Sequence, residues 1–220
     1  LVVGDNENPQ ITVNTKDSIG LAIEGISERV NGAGTVVEAK ESSGTSTNSI
    51  IKMTGDHSIG IYNNGRTYSM NGGSVDVSGK NSVGVFASGI PTINTVTNEI
   101  ISYKKPNTTL SNASLKVYGK DSVGLYANGG SDITLNNMSN MEVGEGALLF
   151  YGSGFTNSSN VTDYAQLALN GNNTLTVKKG GVAFYLKGND LNSIRENSTI
   201  GQLDITLEDG AILSIIEGTG

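Results

Sequence analysis

"GKNSVGVFASG" (Gly79–Gly89) and "GKDSVGLYANG" (Gly119–Gly129) are two versions of one short segment written into the same chain. Self-similarity outranks other signals, because a repeat architecture is built from units that cannot bury their apolar face alone. Two more close copies are "TKDSIGLAIEG" (Thr15–Gly25) and "GDHSIGIYNNG" (Gly55–Gly65). Weaker ones are "GEGALLFYGSG" (Gly144–Gly154) and "KKGGVAFYLKG" (Lys178–Gly188), and "LEDGAILSIIEG" (Leu207–Gly218) is a degenerate seventh.

Ahead of each copy stand two apolar residues with one polar residue between them: Ile11/Val13, Ile51/Met53, Val75/Val77, Leu115/Val117, Met141/Val143, Leu175/Val177 and Ile205/Leu207. Such alternation turns one face of a strand to a core and the other to water. A turn follows, whose slot before the serine holds Asp17, His57, Asn81 or Asp121. These are the non-glycine types most enriched at positive φ, so the spacing predicts a left-handed corner there. Ser18, Ser58, Ser82 and Ser122 come next, each with a short hydroxyl in reach of neighbouring backbone. A second strand carries the pairs Ile19/Leu21, Ile59/Ile61, Val83/Val85, Val123/Leu125, Leu148/Phe150 and Val182/Phe184. Strict alternation predicts that both members point inward. It puts Gly20, Gly60, Gly84 and Gly124 on the outer face, together with the column Ala22, Tyr62, Phe86, Tyr126, Tyr151 and Tyr185.

The glycine slot recurs at 20, 60, 84 and 124, spacings of 40, 24 and 40. Twenty-four residues make three strands of about five residues plus corners. "RTYSMNGG" (Arg66–Gly73) supplies the third side. The longer spacings imply insertions at about 26–48 and 90–107, with another irregular stretch at 155–170. The expected fold is all-β, a right-handed parallel β-helix (solenoid) with inserted surface loops, spanning residues 1–220 as one unit. At a rise of ~4.8 Å per winding, six or seven windings give a rod on the order of 30 Å long. Neither end shows a clear polar cap, as expected of a piece of a longer array.

Composition narrows the function classes. Net charge is −7 and there are only three arginines, Arg29, Arg66 and Arg195. That argues against nucleic acid and anionic membrane as partners. With no Cys and one His, a disulfide scaffold and thiolate metal sites are excluded. No apolar run approaches the ~18 residues of a membrane span. "LVVGDNENPQ" (1–10) lacks the basic start and apolar segment of a signal peptide, as expected of a mature piece of something larger.

At "DSIGL", "HSIGIY", "NSVGVF" and "DSVGLY" the chain resembles the repeats of large fusobacterial type V autotransporter adhesins. The resemblance covers about residues 11–188 and is strongest in four copies. It implies a long extracellular passenger on the bacterial surface, exported through an outer-membrane β-barrel. It also implies attachment to host cells or to partner bacteria through protein or glycan receptors. Lack of Cys suits an oxidising periplasm. Trimeric autotransporter heads carry similar patterns, but their repeats are shorter than the spacings here.

His57 beside Ser58 and Asp56 could be read as a catalytic base, yet it fills the same slot as Asp17, Asn81 and Asp121. A slot open to Asp and Asn asks for backbone geometry rather than imidazole, and triad members meet through the fold rather than side by side. A polysaccharide lyase or hydrolase needs carboxylates at a set separation. Asp5, Glu7, Glu24, Glu28, Glu38, Glu41 and Glu99 are scattered, and Asp76, Lys116 and Glu142 form a mixed-sign outer column. "GDNEN" (Gly4–Asn8) lacks the length of a calcium loop. The expectation is a monomeric, non-enzymatic protein without cofactor or metal. The candidate contacts are the column Tyr62, Phe86 and Tyr126, and Tyr103, Lys104 and Lys105 as tips of the loop "NTVTNEIISYKKPNTT" (Asn94–Thr109). A structural ladder is the competing account of the column, and a pure spacer the competing account of the chain.

Overall fold

The structure, a computed structural model, describes residues 2–3, 9–40, 42–64, 67–156, 162–187 and 202–217. Every regular element among them is a β-strand. Three parallel sheets dominate. The first holds β2 (Gln10–Val13), β7 (Ile50–Met53), β10 (Ser74–Val77), β15 (Ser114–Val117), β18 (Asn140–Val143), β23 (Asn172–Val177) and β25 (Gln202–Leu207). The second holds β3 (Ile19–Glu24), β8 (Ile59–Asn64), β11 (Val83–Ser88), β16 (Val123–Asn128), β19 (Leu148–Ser153), β24 (Val182–Lys187) and β26 (Ile212–Glu217). The third holds β1 (Val2–Val3), β6 (Ser43–Thr47), β9 (Thr67–Asn71), β14 (Asn107–Ser111), β17 (Asp132–Asn136) and β22 (Gln166–Asn170). From β2 onward the chain visits the first, second and third sheets in turn, then returns beside the strand it left. Through β22, each circuit adds one strand to every sheet.

Register turns sequence periodicity into packing. Ile51, Val75, Leu115, Met141 and Leu175 align down the first sheet. Ile61, Val85, Leu125, Phe150 and Phe184 align down the second, and Met70, Leu110 and Leu135 down the third. All are buried and belong to one cluster. Each circuit therefore gains its dry contacts from the circuits above and below.

Corners follow the expectation closely. Asp17, His57, Asn81 and Asp121 all have φ between 51° and 58°, and Gly146, Gly180 and Gly210 take the same slot later. The serine after each of the four non-glycine corners ties circuits together. Ser122 Oγ accepts the Ser82 N–H at 2.9 Å and donates to the Gly79 carbonyl at 2.7 Å, both in the preceding circuit. Ser82 accepts from Ser58, and Ser58 from Ser18, in the same way. A second left-handed column, Asn48, Gly72, Asn112, Asn137 and Gly171, turns the third sheet back to the first.

Strict alternation fails in the second sheet. β8, β11, β16 and β19 share one burial pattern, in which the first residue is half-buried and the next two are buried. Val83, Val123 and their equivalents therefore face outward, and Ile19 is 50% exposed. The glycine slot faces inward instead. A Cβ on Gly84 would stand 2.7 Å from the Gly124 carbonyl oxygen and 3.1 Å from a Val77 methyl. The strand bends at that slot, so period-two counting holds only on either side of it.

The insertions are not independent loops. β4 (Ile26–Val30) and β5 (Val36–Lys40) form one antiparallel hairpin, and β12 (Ile90–Asn94) and β13 (Ile100–Lys104) form another. β4 pairs in parallel with β12, Glu28 opposite Thr92, so the two hairpins make one four-stranded sheet. The stretch 26–48 includes the third-sheet strand β6, 107 is where β14 begins, and 155–170 includes β22. Within that last stretch, among the described residues, β20 (Phe155–Thr156) and β21 (Thr162–Asp163) form a short antiparallel pair.

Candidate binding surface

The bend at the glycine slot gives the second sheet two outward columns. One is aliphatic: Ile19, Ile59, Val83, Val123, Leu148, Val182 and Ile212, in register. The other is Ala22, Tyr62, Phe86, Tyr126, Tyr151, Tyr185 and Ile215. A glycine within a strand pattern is itself a signal of a bend, and it could have placed the aliphatic column outside from sequence alone.

Tyr62, Phe86 and Tyr126 come together as expected, and Tyr151 and Tyr185 extend them. Successive ring centroids lie 5.6, 4.9, 4.6 and 5.3 Å apart with interplanar angles of 13° to 30°. The rings are half-buried and lie on one another, so inner faces are shared and edges meet water. Burial pushes the Tyr126 phenol up, against a hydrogen bond with Tyr151. Burial, and then the Glu24 charge, raises Tyr62, opposed by a hydrogen bond from Asn64. Tyr185 donates to the Glu217 carboxylate, which holds its phenol above the ordinary value. The Tyr126 and Tyr185 hydroxyls already have hydrogen-bond partners, so the ladder offers chiefly apolar ring edges.

Between the ladder and the corner column runs a groove of about 270 Å³. Val123, Leu148 and Val182 line it beside Tyr185, Ile215 and Asp121. It opens where the corner slot changes from Asp121 to Gly146 and Gly180, which carry no side chain over the aliphatic column.

Tyr103, Lys104 and Lys105 are half-buried on the return side of their excursion rather than at its tip; the exposed residues are Thr95–Ile100. A Cβ on Gly89 would lie 3.0 Å from Tyr103 Cβ, and one on Gly129 3.2 Å from its ring. Tyr103 thus packs against the backbone of two adjacent circuits. His57 stands in its corner column, its Nε2 3.3 Å from Asn81 Nδ2 and its Nδ1 3.7 Å from Asp17 Oδ1. Lys116 and Glu142 sit 3.9 Å apart in the mixed-sign column. Among the described residues no group of three or more His, Asp or Glu is placed to hold a metal. Asp5, Glu7, Glu41 and the segment Gly4–Asn8 lie outside the described residues. Compared with family models, curated proteins and solved structures, the chain matches none of them.

Proposed function

We propose that the chain is a right-handed parallel β-helix segment acting as a non-enzymatic adhesin on a bacterial surface. The handedness follows from the chirality of parallel crossover connections. The observation that carries the function is the outer face of the second sheet. There an aliphatic column and a five-ring ladder run side by side on a stack that fixes their spacing. A chain that leaves a continuous apolar face of this kind half-exposed offers a contact surface. The resemblance of "NSVGVF" and "DSVGLY" to autotransporter repeats points the same way, toward an extracellular passenger anchored by an outer-membrane barrel. The receptor is a protein or glycan of a host cell or partner bacterium. Many copies on one cell convert weak contacts into firm attachment through effective concentration.

Cell binding and a glycan array, run with the purified chain and with Tyr126→Ala and Leu148→Lys variants, test the proposal. Binding that drops in both variants while the far-ultraviolet spectrum stays unchanged supports it. Binding equal in all three would leave the outer face as weatherproofing on a spacer.

A further inference from the structure

The adhesive reading leaves the receptor's chemistry open, and the groove beside Tyr185 narrows it. A sugar stacks on an open aromatic face, but Phe86, Tyr126 and Tyr151 each have a ring on either side, at 4.6 to 5.6 Å between centroids. The groove floor is equally unsuited to hydroxyls. Val123, Leu148 and Val182 offer no hydrogen bond, and the one hydroxyl of the corner, Ser122 Oγ, already bridges Ser82 N–H and Gly79 O. Hydroxyl groups seated there would lose water without replacement. Aliphatic side chains would lose nothing.

The rim carries the second argument. Asp121 lies at one side, and its carboxylate has no ion pair among the described residues, whereas Asp17 in the equivalent slot has Lys16 at 4.0 Å and His57 at 3.7 Å. An apolar floor beside the Asp121 carboxylate, on a chain of net charge −7, complements an apolar ligand with a positive flank. Resting on the adhesive reading, we infer that the groove takes a polypeptide segment of a partner protein, its aliphatic side chains flanked by Lys or Arg. Floor residues recur once per circuit, about 4.8 Å apart, so a segment running along the stack meets them in succession.

Methyl-labelled protein is titrated with a lysine-flanked leucine–valine pentapeptide, its glutamate-flanked twin, and galactose-terminated and sialylated oligosaccharides. The Val123, Leu148 and Val182 methyl signals should shift and saturate with the lysine-flanked peptide. Leu148→Lys should weaken that binding by about tenfold or more, since it removes apolar contact and adds like charge. Asp121→Asn keeps a residue that tolerates the corner, as Asn81 does. It should cut the preference for lysine over glutamate flanks by about two- to fivefold, the scale of one exposed ion pair. Oligosaccharides that saturate these methyls while the peptide does not, a peptide that moves none of them, or undiminished binding in Leu148→Lys would each overturn the inference. If the unaltered chain still adheres to cells in any of those cases, only the groove assignment falls. If it adheres to none, the adhesive reading falls with it.

Discussion

Asp17, His57, Asn81 and Asp121 show what a corner asks of a side chain. Each has φ above 50°, a region costly for β-branched residues and tolerated by Asn, Asp and His. His57→Asn should therefore leave thermal stability unchanged, while Asn81→Val should cost about 1–2 kcal/mol in chemical denaturation. The serines do a different job. Ser122→Ala would strand the buried Ser82 N–H without its acceptor, at a cost of about 1–3 kcal/mol. Tyr118 gives a pH test. Its hydrogen bond to Glu142, and then burial, push its phenol up to about 12 from 10.0. The folded state favours the neutral phenol, so that contribution is full below pH 10 and fades as pH rises toward 12. Resolved tyrosine ring signals should show Tyr118 ionising late, and Glu142→Gln should bring it down. The corner column was legible in the sequence because αL tolerance is a property of single residue types. The inward turn of Gly84 was signalled only by a glycine inside a strand pattern, which period-two counting passes over because it assumes a uniform pleat.

In the second sheet, the bend at the glycine slot decides which residues meet water. Gly84→Val would drive methyls into Val77 and the Gly124 carbonyl, and the resulting loss of stability should be larger than for Val83→Thr on the outer face. Tyr126 stacks on both Phe86 and Tyr151. Tyr126→Ala should therefore cost about 1–3 kcal/mol in unfolding experiments, two ring pairs at about 0.5–1.5 kcal/mol each. The ladder was legible as a column because one ring recurs per circuit. The placement of Tyr103 was not. Its seat on Gly89 and Gly129 depends on an antiparallel partner strand and on a neighbouring circuit, and neither leaves a local pattern. For the same reason the pairing of Glu28 with Thr92 could not be read from the sequence between them.

Across the molecule, stability is a sum of neighbouring circuits rather than one central core. The inner strands β10, β15 and β18 bury their apolar pairs almost completely, while Leu207, Ile212 and Ile216 at the β25–β26 end are 43% to 55% exposed. Hydrogen exchange should grade accordingly, slowest in β10, β15 and β18 and fastest in β25 and β26. Uniform protection along the stack would contradict a neighbour-coupled architecture. The pairing of β4 with β12 has a consequence of its own. Each hairpin shields one rim of the other, so excising either alone would bare a row of backbone donors and acceptors, ready to recruit a strand from any passing chain. A single deletion would then confuse stickiness with adhesion, and the two excursions have to be removed as a pair before their share in attachment can be weighed.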